Sequence, residues 1–238
     1  MRNASRIIVL SFGVAVIAGG ANPDGGASRP EILACGAAMP GAPSLIGLCV
    51  RSPPGALAMS PPSIDTGRLT LRTHRVEDFE DMCAMWSEPA VVRFIGGKVL
   101  SDEEVWGRLL RYAGEWALVD YGFWAARDRA SGAFVGEVGF HNLHRGLVPP
   151  FGDLPELGYA LVPWAHGQGL ATEAARAVLD WADRTWPGRE TVCMIHPENA
   201  ASARVAERLG YREFARSSYK GEPEVLLSRR SGEAAQVS

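Results

Sequence analysis

Cysteine is scarce in this chain. Four occur among 238 residues, at positions 35, 49, 83 and 193, with no C-x-x-C pair and no zinc-like spacing. That excludes a disulfide framework and a cysteine-built metal centre; the thiols read as scattered core or surface groups, and no metal is expected. Charge of one sign is scarce too: 24 basic against 27 acidic side chains leave a net of -3. A dominant polybasic surface is excluded, and no nucleic-acid partner is expected. The apolar stretch at residues 7–21 is too short for a transmembrane span. What is present is a globular composition, 47% hydrophobic and 21% charged, long enough for one good core or two small domains.

The composition is uneven. Residues 1–58 hold nine Gly and six Pro, and their only charges are Arg2, Arg6, Arg29 and Arg51 against Asp24 and Glu31. The leader is therefore +2 and the remainder -5. No period of 2 or 3.6 persists from Asn22 to Ser60, and such a segment buries too little apolar area to offset its ordering entropy. Residues 7–21, behind Arg2 and Arg6, resemble a secretory h-region. Three readings stay open: a signal or membrane anchor, a disordered extension, and a leader upstream of the biological start at Met59. The last is favoured, because the ordered pattern begins only at Thr66 and a chain from Met59 has 180 residues. The expected organisation is a Gly/Pro-rich leader over 1–60, one domain over 64–232 and a polar tail over 233–238.

Within the domain, Leu69–Thr73 alternates as a strand. Phe79, Met82, Cys83 and Trp86 mark a helix over 77–86 that Pro89 ends. Ser101 and Glu104 form a capping box that starts a helix with Val105, Leu109, Tyr112 and Trp116 on one face. Residues 122–127 and 134–142 read as a hairpin around Asp128–Gly132. Residues 144–153, with Pro149 and Pro150, read as a loop, and 154–161 as a strand. A helix runs from Thr172 to Trp186, closed by Pro187 and Gly188. Residues 190–195 form a strand, and Asn199 caps a short helix that Gly210 stops. Strands over 211–215 and 224–228, separated by Lys220–Pro223, complete a β-α-α-β-β-β-α-β-α-β-β order. This is an α+β chain, a mixed sheet with helices packed on it.

Two motifs carry chemistry. Gly167 and Gly169 stand between a strand and a helix, where glycine permits close backbone approach and the helix start offers unpaired amides and positive potential. That suits a phosphate or pyrophosphate. The GK[ST] ending of a Walker A loop is absent, and Thr172 stands where the dinucleotide fingerprint needs its third glycine. An ordinary glycine turn remains the plain alternative. The second motif is His196-Pro197-Glu198-Asn199-Ala200-Ala201-Ser202, also between a strand and a helix. Asn199 reads as an N-cap whose amide is able to hold a ligand, with the Ser202 hydroxyl facing the same cleft; no G-x-S-x-G surrounds Ser202 to make it a nucleophile.

The run from Glu156 to Ala174 resembles the acetyl-CoA-binding core of the GNAT N-acetyltransferases, whose motif reads Q/R-x-x-G-x-G/A. Residues 166–171 align with it: Gly167, Gln168, Gly169, Leu170 and Ala171 fit, His166 replaces the commoner Gln or Arg at the first position, and Thr172-Glu173-Ala174 is the usual continuation. Thr66-Gly67-Arg68-Leu69-Thr70-Leu71-Arg72, Asn199-x-x-Ser202 and Leu209-Gly210-Tyr211 also resemble the family, over roughly 65–230. The branch with bacterial ribosomal-protein alanine acetyltransferases and some spermidine and antibiotic acetyltransferases is the most similar.

The resemblance implies a central, mostly antiparallel mixed sheet with splayed central strands, flanked by helices. It implies a pyrophosphate on the amides of residues 167–172, and a pantetheine arm along Ala160, Leu161 and Val162, with Asn199 and Ser202 beside it. The thioester would point between strands 154–161 and 190–195. Many relatives carry a Tyr four residues before Gly210 as acid for the thiolate; Ala206 stands there, so solvent or a Ser202 relay would supply the proton.

The implied reaction is acyl-CoA-dependent N-acylation, direct attack of an amine on acetyl-CoA. Glu156 is the first candidate base, Glu137 the second, and His141 titrates in a suitable range. The acceptor is a protein N-terminus or a small-molecule amine, and the -5 of the domain mildly favours a cation. The expected protein is cytoplasmic, a monomer or homodimer. A non-catalytic acyl-CoA-binding or regulatory module is the rival reading, and an enzyme for another phosphate ligand the third.

Overall fold

In the computed structural model, residues 61–231 are described, together with a short antiparallel pairing of Ile8–Val9 with Ala15–Val16 that stands by itself. Apart from that pairing, the expected leader over 1–60 lies outside the described residues, as do the start at Met59 and the tail over 233–238. Eight strands form one sheet: β1 (Ile64–Asp65), β2 (Leu69–Thr73), β3 (Phe123–Asp128), β4 (Phe134–His141), β5 (Glu156–Leu161), β6 (Glu190–Ile195), β7 (Arg212–Tyr219) and β8 (Glu222–Arg230). Their order is β1-β2-β3-β4-β5-β6-β8-β7. Every neighbouring pair is antiparallel except β5 and β6, which are parallel. The expected mixed, mostly antiparallel α+β sheet is the observed one.

Alternation along the strands gives the sheet two faces. On one, Phe123, Ala125 and Ala160 pack against Met82, Trp86, Val105, Leu109 and Tyr112. These come from α1 (Phe79–Trp86) and α3 (Asp102–Val119). On the other, Trp124, Val138, Phe140, Leu157 and Leu161 pack against Ala174, Ala175, Val178, Leu179 and Ala182 of α4 (Leu170–Thr185). The alanines keep that helix low on the sheet. The last helix, α5 (Ala200–Arg208), lies on the same side, with Ala206 in the same cluster.

The local signals place most boundaries. Ser101 Oγ accepts from Glu104 N (3.3 Å) and Glu104 returns a carboxylate to Ser101 N (2.8 Å), the capping box that starts α3. The first helix ends at Trp86, before Pro89, as expected; beyond that, Pro89 opens a further short helix, α2 (Pro89–Val92). Its ring presets φ and its missing N–H is unneeded at a first helical position. The last turn is also tighter than expected. Lys220 and Gly221 take positive φ (54° and 91°), and Pro223 lies inside β8. Pro223 pairs with Ser218 of β7, whereas β6 joins β8 only from Val225, so no ladder bond is lost on that side.

An ion cluster ties β2 and β3 to the start of α1. Asp78 is fully buried and accepts two bonds from Arg72 (2.7 Å each), one from Arg127 (2.6 Å) and one from Arg75 N (2.8 Å). Arg127 also reaches Asp81 (2.7 Å).

Candidate active site

The parallel strands β5 and β6 share one register pair, Glu156 with Val192, and Val192 N–H donates to Pro155 O (3.0 Å). Beyond that pair the strands part, and β6 continues with β8. Val162 N–H bonds back to Val135 O (3.0 Å) on the β4 side. With regular pairing between β4 and β5, the even residues Gly158, Ala160 and Val162 turn their backbone groups to β4, and the odd residues Leu157, Tyr159 and Leu161 turn theirs to the gap. The Leu161 carbonyl is already partnered by His166 Nε2 (2.9 Å). Of the three residues expected along a pantetheine arm, only Leu161 therefore presents its backbone to the gap, and its amide is the free group there.

The gap opens into a cleft of about 740 Å³. Glu137, His141, Glu156, Ala160, Asn199 and Ser202 line it, so the structure brings six of the sequence-selected residues together. Leu161, Val162 and residues 166–172 are outside its lining and continue from the end of β5 into the start of α4. There Gly167 and Gly169 take φ of 73° and 76°, the region that glycine occupies freely. A Cβ on Gly167 would meet nothing within 4 Å, so the space over the turn is open. Glu173 braces the turn: it accepts from Thr66 Oγ1 (2.6 Å), Arg68 N (2.8 Å) and Arg68 Nε (2.7 Å), while Arg68 Nη1 donates to Gln168 O (3.0 Å). The opening Thr66–Arg68 segment and the Glu173 that follows the glycines are thus halves of one clasp.

On the α3 face of the cleft the charges are committed to one another. Glu156 Oε2 accepts from Arg145 Nε (2.7 Å). Glu137 is 1% exposed and accepts from the Tyr112 hydroxyl, with His74 Nε2 and Arg108 Nη1 each 3.8 Å away. Burial alone would raise its pKa, but His74, Arg108 and Tyr112 together hold the carboxyl below the usual range. Arg108 stacks over Trp86 (3.9 Å). His141 Nδ1 sits 3.0 Å from Glu115 Oε1. Sequence reasoning missed Glu115; it shares no local pattern with a histidine 26 residues away.

The α4 and α5 face is different. Asn199 Oδ1 accepts from Ser202 N (3.1 Å), so the capping role is real and the amide nitrogen is left over. Tyr159 lines the cleft, and its buried hydroxyl has no hydrogen-bond partner among the described residues. Burial pushes it up to about 12, with the Ser202 hydroxyl opposing part of that rise. This hydroxyl was also missed, although strand parity already put Tyr159 on the face opposite Glu156. Cys193 is buried and its thiol is pushed up by burial, with Glu156 adding to it, so it offers no thiolate nucleophile. No group of three or more His, Cys, Asp and Glu side chains able to hold a metal, and no helix long and apolar enough to cross a membrane, occurs among the described residues.

Three comparisons bear on this geometry. A solved chain from Bordetella pertussis, assigned to the GNAT-family acetyltransferases, is 33% identical with a TM-score of 0.64, over 71% of this chain and 99% of that one. A spermidine N-acetyltransferase from Vibrio cholerae, solved with CoA and spermine, shares the fold: 14% identity, TM-score 0.56, over 71% of this chain and 98% of that one. The uncharacterised Bacillus subtilis protein YkkB is 36% identical over 90 residues, 37% of this chain and 48% of YkkB, so that match spans about half the relative's length. The family model for the acetyltransferase (GNAT) domain matches residues 68–212. That interval takes in both strands framing the gap and the helix that joins them, and on it the chain belongs to the GNAT acetyltransferase family.

Proposed function

We propose that this chain transfers the acetyl group of acetyl-CoA to a primary amine by direct attack in a ternary complex. The observation that supports the reading most is the parting of β5 from β6 beside an open glycine turn. The backbone groups of Tyr159 and the Leu161 amide, which face the gap beyond the last β5–β6 pair, suit the amide-bearing pantetheine arm, as an added strand would. The amides at 167–172 suit the pyrophosphate. Holding amine and thioester together supplies much of the acceleration, and the Leu161 amide is positioned to stabilise an oxyanion. A protonated Cys193 favours direct attack over an acyl-cysteine.

The leaving thiolate needs a proton. In this reading the Tyr159 hydroxyl, beside Ser202, takes the part left vacant by Ala206. Tyr159→Phe is expected to lower kcat about tenfold to a hundredfold and leave CoA affinity within about twofold. Unchanged kcat returns the role to solvent or Ser202. The acceptor, a protein N-terminus or a small amine, and the ribosomal-protein branch within the family are parts of the same proposal, and a cytoplasmic location goes with the cosubstrate.

The test is release of free thiol from acetyl-CoA with a panel of peptides, polyamines, aminoglycosides and amino-acid derivatives, with products weighed by mass spectrometry. Amine-dependent thiol release with one acetyl group gained supports the reading. Tight CoA binding without turnover across the panel leaves a CoA-binding module and sinks the transferase.

A further inference from the structure

His141 closes β4 and is 7% exposed in the cleft wall. Its ring stacks on Phe123 (centroids 4.0 Å apart) and faces Tyr112 (5.8 Å), which fixes its plane. Nδ1 is taken by Glu115 of α3, whose side chain is 9% exposed. The other edge of the ring looks at β5: a Cβ placed on Gly158 would lie 3.8 Å from His141 Cδ2. The tighter contact of that Cβ is with Phe123 Cζ (3.1 Å), the ring on which His141 stacks, so glycine at 158 lets the stacked pair lie against β5 with the Cδ2 edge of His141 in ordinary contact distance of it. The two carboxylates on the same wall are otherwise engaged, Glu156 with Arg145 and Glu137 with Tyr112.

We propose that His141 is the general base of the transfer, accepting the amine proton at Nε2, and that Glu115 is its positioning residue, accepting the Nδ1 proton. The proposal rests on the transferase reading. The amine nitrogen bonds to the thioester carbon, and its surplus proton passes to Nε2. The adduct then collapses, the C–S bond breaks with its electron pair on sulfur, and the thiolate is protonated on the Tyr159 side of the gap. His141 returns its proton to solvent through the cleft. Base and acid so stand on opposite faces of β5, the base on the α3 face and the acid on the α4 and α5 face.

The surrounding charges give the pair a distinctive pH dependence. His141 is packed among Glu115, Arg108, Arg111 and Tyr112 of α3, Arg145 of the loop and Glu156 of β5. Burial first, then Arg111, Arg108 and Arg145, hold it well below its usual value, so it is neutral near neutral pH. Burial raises Glu115 to about 7, with Glu156 adding and Arg111 and Arg108 opposing. Below that value Glu115 carries a proton, donates it toward Nδ1, and forces the proton of His141 onto Nε2, where it blocks the base. Above it, Glu115 is a carboxylate that accepts Nδ1–H and leaves Nε2 bare.

The full chain is assayed with acetyl-CoA and methoxyamine, an amine that stays uncharged near neutral pH, so that the titration seen is the protein's. The expected kcat/KM rises with pH through about 7. His141→Gln lowers it about a hundredfold or more, and Glu115→Gln lowers it and removes the inflection, both with CoA affinity within about twofold as evidence of folding. Glu115→Asp restores part of the rate and the inflection. In the wild-type chain with labelled histidine, nitrogen NMR is expected to find His141 as the Nδ1–H tautomer above the inflection. An Nε2–H tautomer there, turnover of His141→Gln within about threefold of wild type, or loss of the inflection in Glu156→Gln instead of Glu115→Gln overturns the proposal. A chain that binds CoA yet acetylates neither methoxyamine nor any panel amine removes the transferase reading and the dyad with it. A working transferase indifferent to His141 removes the dyad alone.

Discussion

Gly169→Trp is expected to abolish measurable CoA binding, a loss of at least about a hundredfold, or ~2.7 kcal/mol. Two consequences of the local geometry combine. Gly169 is the N-cap of α4 with φ of 76°, where a side chain costs roughly 1–2 kcal/mol of backbone strain. An indole at that point also covers the amides at the helix start, which the proposed function assigns to the pyrophosphate. The fold survives the change, because a Cβ there meets only Arg68 Nη2 at an ordinary 3.8 Å. Calorimetric titration with CoA, beside a thermal melt of the unliganded chain, separates the two effects. Affinity held within about twofold in a folded variant would falsify the placement of the cradle.

The second large effect is on stability. Asp78→Ala leaves Arg72 and Arg127 without the buried carboxylate that both grip. Removing one partner of a buried ion cluster typically costs about 3–5 kcal/mol; here Arg72 loses its carboxylate outright, and Arg127 keeps only its bond to Asp81. That is a large share of the ~5–15 kcal/mol that a domain possesses. Burial opposes ionisation of Asp78, yet the bonds from Arg72 and Arg127 and the Arg75 amide carry its pKa well below the usual carboxylate range. A depressed folded-state pKa stabilises the fold above the unfolded value of 3.8, and the contribution is lost as pH falls below it toward the folded value. Denaturant unfolding near neutral pH should show the full deficit, and the difference between wild type and Asp78→Ala should narrow in strong acid. A deficit under about 1 kcal/mol, the size of a surface pair, would mean that the cluster is merely decorative.

Much of the architecture is legible in the chain because its causes are local. Ser101 and Glu104 cap their own helix, Asn199 caps another, and the Asp128–Gly132 turn closes its own hairpin. The glycines at 167 and 169 declare a left-handed turn before a helix whose alanine face is visible as a period of 3.6. Pro223 misled, and the helix that Pro89 opens went unforeseen, for a related reason. A proline announces a missing N–H, and only the finished sheet and helices reveal whether a neighbour wanted it.

The site is legible only in outline. Sequence pattern chose Glu156 and Glu137 as carboxylates near the cofactor strand, and both are in the cleft wall. That Arg145 and Tyr112 engage them depends on side chains from a loop and a helix. Glu173 reaches Thr66 and Arg68 across 107 and 105 residues, and no local rule foresees such a clasp. The Tyr159 hydroxyl is buried beside Ser202 of α5, far along the chain, with no hydrogen-bond partner among the described residues.

The amino-acid sequence alone determined the elements, the glycine turn, the N-caps and the family resemblance, since propensity, capping and backbone freedom act over a few residues. Tertiary structure decided which charges are spent on one another and which polar atoms are left for chemistry. It set Glu115 behind His141, left Tyr159 without a partner, and turned alternate amides of β5 to an empty gap. Those are outcomes of burial and distance between residues far apart in the chain, and the small net charge of the sequence carries no record of where each charge comes to rest.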